Sequence, residues 1–325
     1  MALPNFLGVG AEKAGTSLLF FILRQHRQIF MPPQKELHYF SLYHAWQPLH
    51  WYEGYGFKEY RDELAIGEIT PEYMRFPDVP RRIFDALGPD VKLIFCLREP
   101  VQRAFSQYLM SCRLLEESES FETALALETQ RIAEHAYLGR RRAYVGGSRY
   151  AEQIGRFLEL FPRNNMFFII LETDFLQHRE ATVARLLEFL GVDPAEPLDL
   201  NVPNNSLGAP TVFAGSPSRT ITLRWKDAQL QLRAGDFFVR TGNASLDAGF
   251  VKASPRAVAH LAKLEERMTR TLTSELASSL YNDCFAEDIT KLEELLGRDL
   301  GFWRHPLQVR SDLIEARSPV PGGRA

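Results

Sequence analysis

Lys13 stands inside a run of small residues, Gly10-Ala-Glu-Lys-Ala-Gly-Thr-Ser17, with an apolar stretch before it and another, Leu18 to Leu23, after it. A strand, a small-residue loop and a helix N-terminus in that order make an anion cradle. Unpaired backbone N–H groups and the positive end of the helix dipole converge on one point. A nucleotide-kinase loop, G-x-x-x-x-G-K-[ST], carries its lysine after the final glycine. Here the lysine precedes that glycine, which points away from ATP and toward another phosphate-bearing donor.

A second cluster follows the apolar run Lys92 to Leu97: Arg98, then Pro100, Arg103 and Ser106. Pro100 suits the first turn of a helix, where its missing N–H costs little. Arg103 and Ser106, three apart, share a helix face. Arg98 at a strand tip and Ser106 one turn into the helix are placed to converge on one phosphate. P-loop kinases and GTPases put a Mg²⁺-holding Asp on a neighbouring strand. A cation at that tip reads instead as direct neutralisation of an anion, with no metal. The competing reading makes Arg98 and Arg103 ion-pair partners of Glu99 or another nearby acid.

The elements that must position these residues are legible as alternation. Apolar runs at Asn5–Gly8, Leu64–Ile69, Val91–Leu97 and Met166–Leu171 read as buried strands. Thr16–Gln25, Val101–Arg113, Phe121–Ala133, Tyr150–Leu160 and Ala181–Leu190 read as helices. Strands alternating with helices predict an α/β protein, a three-layer α/β/α sandwich on a central parallel sheet. Ligands in such folds bind beyond the carboxyl ends of the strands, where both clusters fall. Gly191 and Gly297 are placed to stop helices. Residues 192–218, rich in Pro, Asn, Ser and Gly, read as a long loop, and Pro255–Leu280 and Asp288–Leu296 as helical. The expected organisation is one domain over 1–305, with a variable insertion at 211–265 and a disordered tail at 306–325.

The totals narrow the class. The chain has 325 residues and a formal net charge of −3, with 45% hydrophobic and 24% charged residues. This is the profile of an ordinary globular protein, and the near-neutral balance gives no reason to expect nucleic acid. The 38 basic residues divide into 30 Arg and 8 Lys, which reflects either genome composition or recognition of several anionic groups. Cys96, Cys112 and Cys284 imply neither a disulfide framework nor a metal site and fit a reducing compartment. The absence of a leader-like start or an apolar run near 18 residues leads to the expectation of a cytoplasmic protein with no membrane partner. No oligomeric state is assigned.

Taken together, Gly10-Ala-Glu-Lys-Ala-Gly-Thr-Ser17 and Leu97-Arg-Glu-Pro-Val-Gln-Arg-Ala-Phe-Ser-Gln-Tyr108 resemble the two donor-binding motifs of sulfotransferases that use 3′-phosphoadenosine 5′-phosphosulfate (PAPS). Lys35-Glu-Leu-His-Tyr-Phe40 and Gly147-Ser-Arg-Tyr150 resemble segments of the heparan sulfate and Golgi-type branch. Asp288 to Trp303 resembles the C-terminal ending of bacterial members. The resemblance covers about residues 5–303, with 211–265 unmatched. It implies PAPS as sulfuryl donor and 3′-phosphoadenosine 5′-phosphate as product. Lys13 and residues Ala14 to Ser17 would face the 5′-phosphosulfate, and Arg98 and Ser106 the 3′-phosphate. No metal is implied. The acceptor would be a small molecule or a carbohydrate. A small-molecule kinase, or a nucleotide-binding module without catalysis, are the alternatives.

An attacking hydroxyl must lose its proton, and Glu36 and His38 are the bases nearest the loop. If Lys35–Phe40 is extended, residues 36, 38 and 40 share one face. The resemblance gives Glu36 the role of general base, with His38 as second base or acceptor contact. Their alternative roles are a surface carboxylate and a hydrogen-bonded core histidine. Glu68-Ile-Thr-Pro-Glu-Tyr73 matches the second-strand segment of that branch, except that Ile69 stands where many members carry a lysine. Glu68, Tyr73 and Tyr150 are the expected acceptor contacts. The loop Asn201–Pro210 occupies the place of a Lys-Gly donor clamp without its lysine. Arg140-Arg-Arg142 reads either as an anion-binding run or as a solvated face. Trp46 and Trp51 read either as a stacking surface or as packing.

Overall fold

The computed structural model describes residues 3–114, 116–202, 220–225, 228–233, 238–239, 251–252 and 272–306. The chain divides into two compact units, Met1–Val202 with Leu272–Ala325, and Pro203–Thr271. The first holds a parallel sheet of five strands: β1 (Phe6–Gly10), β2 (Ile29–Phe30), β3 (Ala65–Ile69), β4 (Lys92–Leu97) and β5 (Met166–Ile170). Their order is β2-β3-β1-β4-β5, and every pairing is parallel. Strands β1 and β3 are buried at every residue, and β4 at all but Lys92. Helices on both faces leave such strands no solvent side, so they read as continuous apolar runs.

The topology fixes the site. From β1 the chain goes to the edge strand β2, steps back inward to β3 beside β1, then crosses to lay β4 and β5 on the other side. The crevice at that reversal lies beyond the carboxyl ends of β1 and β4, where open α/β sheets bind ligands. The loop Ala11–Gly15 leaves β1 there, and Arg98 leaves β4 beside it. Ala11 N donates to the Cys96 carbonyl at 2.6 Å, joining the two exits. Close packing holds the centre: a Cβ on Gly67 would come within 2.4 Å of the Phe6 ring, and one on Gly8 within 2.7 Å of Ile69.

The expected strands are present with ends shifted by a residue or two, and β2 adds a two-residue edge strand. The segment expected as one helix from Phe121 is two, Phe121–Ala126 and Glu128–Glu134, turning at Leu127. Gly191 and Gly297 end helices Arg179–Leu190 and Ala286–Leu296 in the left-handed conformation expected of them, at φ 82° and 64°. In the second unit, Thr220–Trp225 pairs antiparallel with Ala228–Arg233, and Phe238–Val239 with Val251–Lys252. The remainder of 211–265, the loop 203–210, the start of the Pro255–Leu280 helix and the tail beyond Pro306 lie outside the described residues. Among the described residues no helix is long and apolar enough to cross a membrane.

Candidate active site

The donor cradle is built by backbone geometry. Gly15 precedes the helix Thr16–Leu23 at φ 91°, and no side chain caps that helix. Its first-turn N–H groups therefore face the loop, as anion binding requires. Gly15 is required twice over. Its φ disfavours a side chain, and a Cβ there would lie 2.9 Å from Leu171 Cδ1. Lys13 is also left-handed, at φ 70°. Its Nζ lies 3.8 Å from the Met110 sulfur on the helix Pro100–Arg113, the helix that carries the half-exposed Ser106 one turn earlier.

Arginines lock the cradle to its surroundings. Arg98 Nη1 donates to the Lys13 carbonyl at 3.1 Å and Nη2 to Gln102 Oε1 at 3.3 Å. Arg103, fully buried, donates to the Glu12 carbonyl at 3.4 Å, Gln107 Oε1 at 2.7 Å, Ser148 Oγ at 2.5 Å and the Tyr144 carbonyl at 2.7 Å. The Glu12 carboxylate pairs with the buried Arg75, which also donates to the Arg140 and Arg141 carbonyls. Glu99 is engaged by backbone N–H groups. It caps its own helix, accepting from Val101 N at 2.8 Å and Gln102 N at 2.7 Å, and burial pushes its carboxyl up to about 8. Arg98 thus leaves β4 beside the loop after β1, Ser106 is half-exposed on the following helix, and Arg103 is buried beneath them.

At the carboxyl end of β3, next to β1, sits a cluster of acids around one imidazole. Glu36 and His38 are left-handed, at φ 67° and 54°. The Lys35–Phe40 segment is therefore not extended, and the expected sharing of one face by residues 36, 38 and 40 fails: Phe40 turns into the core. The two turns nevertheless bring Glu36 and His38 together, with Oε2 3.7 Å from Nε2. Lys35 pairs with Glu36 Oε1. His38 Nδ1 lies 2.8 Å from Glu72 Oε1, which also accepts from Ser41 Oγ. Burial alone would lower the His38 imidazole, but the hydrogen bond and charge of Glu72, with the charges of Glu36 and Glu68, raise it above its ordinary value. Burial would likewise raise the Glu72 carboxyl, yet His38, Ser41 and Arg75 hold it below the usual carboxylate range. Lys13, Glu36 and His38 are the non-glycine positions of positive φ among the described residues. Such conformations persist where surrounding structure imposes them, commonly at sites of function.

Glu68, Tyr73 and Tyr150 occupy different places from the acceptor contacts expected of them. Glu68 and Tyr73 are buried under the cluster, and the Glu68 carboxylate accepts from the hydroxyls of Tyr73 at 2.7 Å, Thr70 at 2.7 Å and Tyr52 at 3.3 Å. Burial pushes the Glu68 carboxyl up against those hydrogen bonds. Tyr150 is fully buried and donates to the Arg98 carbonyl at 2.8 Å, so it backs the donor side. Ile69 is buried against Gly8 and presents nothing to the crevice. Trp46 is 60% exposed, while Trp51 stacks on Tyr55 at 4.7 Å. Sequence reasoning missed Lys35, Glu72 and Arg75 as parts of the site. Glu72 was findable: two residues beyond Thr70, it follows a strand that ends at the crevice.

Comparison with known proteins agrees with this geometry. Residues 3–214 match the sulfotransferase domain family. Over 123 residues, 37% of this chain, the sequence is 38% identical to a membrane-associated sulfotransferase of Dictyostelium discoideum and covers 26% of that protein. Over 189 residues, 58% of this chain, it is 29% identical to heparan sulfate glucosamine 3-O-sulfotransferase 6 of Mus musculus and covers 52% of it. The chain thus spans about half the length, or less, of these curated relatives. Its fold matches the crystal structure of a sulfotransferase from Alicyclobacillus acidocaldarius with a TM-score of 0.64 at 27% identity, over 94% of this chain and 100% of that one.

Proposed function

The chain belongs to the sulfotransferase family, and from that premise we propose that it moves a sulfuryl group from PAPS to a hydroxyl of a carbohydrate or secondary-metabolite acceptor by in-line displacement. The donor supplies an activated sulfuryl group whose departure builds negative charge on a phosphate. Lys13 and the N–H groups of the Thr16–Leu23 first turn offset that charge from fixed positions, each such donor being worth about 3 kcal/mol of barrier. Arg98 and Ser106 hold the 3′-phosphate. Glu36 takes the acceptor proton, with His38 behind it, a contribution of roughly 10²–10⁴ in rate.

One observation carries this reading. The loop after β1 and the tip of β4 are joined at the crevice, with Arg98 Nη1 bonded to the carbonyl of Lys13. Two anion-binding groups a few ångströms apart suit a donor with phosphates at both ends. The hydroxyl acceptor is supported by the 3-O-sulfotransferase named among the relatives. Ile69 in place of the branch's lysine weighs against a heparan-like acceptor. Calorimetry with 3′-phosphoadenosine 5′-phosphate against ATP and ADP tests the donor. A clear preference for the first is expected, and tighter binding of ATP would overturn the reading. Labelled-sulfur transfer from PAPS to a panel of neutral and anionic hydroxyl acceptors then tests the reaction.

A further inference from the structure

His38 lies between two carboxylates that hold it by different nitrogens. Nδ1 is 2.8 Å from Glu72 Oε1, and Nε2 is 3.7 Å from Glu36 Oε2. Lys35 engages the other Glu36 oxygen, so Oε2 is the one turned toward the ring. Glu72 is anchored in its turn. It is 5% exposed, Ser41 Oγ and the Tyr137 hydroxyl both approach Oε1, and its backbone lies in a tight turn closed by Tyr73 N to the Thr70 carbonyl at 3.1 Å and Arg75 N to the Glu72 carbonyl at 3.2 Å. A fixed carboxylate on one imidazole nitrogen selects the tautomer and aims the other nitrogen.

Resting on the sulfuryl-transfer reading above, we propose that Glu72 is a positioning residue for proton removal: by accepting the Nδ1–H of His38 it keeps Nε2 facing Glu36, so that the proton Glu36 takes from the acceptor hydroxyl passes on to Nε2. The acceptor O–H bond breaks, its electron pair stays on the acceptor oxygen as the nucleophile, and the proton moves from Glu36 Oε2 to His38 Nε2. The resulting imidazolium is balanced by Glu72. The charged and titratable groups around the ring favour this. Glu36 and Lys35 lie on its own segment, and Glu68 and Glu72 come from β3 and the turn after it. Arg75, Tyr137 and Arg141 act on Glu72 from the far side.

Nitrogen NMR of the histidine-labelled full chain tests this without donor or acceptor, with the His38 signals assigned by their loss in His38→Gln. The neutral ring is expected to carry its proton on Nδ1. Glu72→Gln is expected to lower the His38 midpoint by about one pH unit or more. In turnover, Glu72→Gln is expected to lower kcat roughly 10–100-fold, part of what a positioned base supplies. The KM for donor stays unchanged, the acid limb of the pH profile follows the His38 midpoint downward, and Glu72→Asp recovers part of the loss. An Nε2–H tautomer in the wild-type chain overturns the proposal even if Glu72→Gln does not fold, and so does an unmoved midpoint in a folded variant. Failure of 3′-phosphoadenosine 5′-phosphate to bind, with the Nδ1–H tautomer present, would instead fell the donor reading and leave the Glu72–His38 pair standing.

Discussion

Arg103→Met isolates the link between buried scaffold and donor loop. Arg103 makes three hydrogen bonds shorter than 3 Å, to Ser148, Gln107 and Tyr144, and a longer one to the Glu12 carbonyl. Bonds from a charged donor are worth roughly 1.5–3 kcal/mol each, so the three short ones amount to about 6 kcal/mol. Ser148 keeps its bond to the Pro100 carbonyl and Gln107 its bond to the Arg141 carbonyl. Tyr144 O is orphaned at a further cost of about 1 kcal/mol. Against this, burial lowers the Arg103 guanidinium to about 10, a displacement equivalent to roughly 3 kcal/mol against the charged form. Removing the charge recovers that amount. The balance is a loss of about 3–4 kcal/mol, or about 10 °C in Tm for a domain of this size.

The functional consequence is separate and sharper. With Glu12 released, the loop that carries Lys13 loses one of its three arginine clamps, Arg75 and Arg98 being the others. Affinity for 3′-phosphoadenosine 5′-phosphate is expected to fall about tenfold, read by calorimetry at a temperature where the variant is fully folded. A variant that melts within about 1 °C of wild type, and binds that nucleotide equally well, would show that Arg103 does not hold the loop.

Three further outcomes are expected. Lys13→Ala should cost at least about 10² in turnover with little change in Tm, since the side chain serves the crevice and not the core; single-turnover PAPS consumption checks this. Glu36→Gln should bind donor normally and turn over about 10²-fold more slowly; near-normal rates would move the base elsewhere. Asp174 is held below the usual carboxylate range: burial works against this, but Arg298, at 2.7 Å from both carboxylate oxygens, prevails. A depressed folded value means stability that is full above the ordinary Asp range and lost as pH falls through the folded value. Urea unfolding from pH 7 down to 2 should show this loss. Arg298→Ala should remove it at a cost of about 1–2 kcal/mol near neutrality, discounted because Arg298 is partly exposed.

Much of this fold was legible because buried parallel strands announce themselves as unbroken apolar runs, and Phe6–Gly10, Lys92–Leu97 and Met166–Ile170 do so. The two-residue strand Ile29–Phe30 offers no period to read. The geometry of the loop was legible in outline because Gly15 and Thr16 sit where a strand exit meets a helix, and Arg98 follows the tip of the next strand. Arg103 was not, because a helix-face argument gives its direction and not its depth. Glu36 and His38 were nominated through an alternation that does not exist. Their meeting depends on two left-handed residues, a conformation that neither side chain advertises. Glu72 depends on a contact across 34 positions, which no local pattern encodes.

Several of the arginines hold backbone in this structure. Arg75, Arg98 and Arg103 each donate to backbone carbonyls of the loops that frame the crevice, and Arg179 and Arg163 do the same elsewhere. A planar fork of five donors holds irregular backbone in a way a lysine cannot. Under the proposed function, Lys13, Arg98 and the uncapped N–H groups serve the donor, and Glu36 and His38, backed by the buried Glu72, serve the acceptor. Sulfuryl transfer sends a proton one way and negative charge the other. On that reading, groups already fixed along that path need no reorganisation as the reaction proceeds.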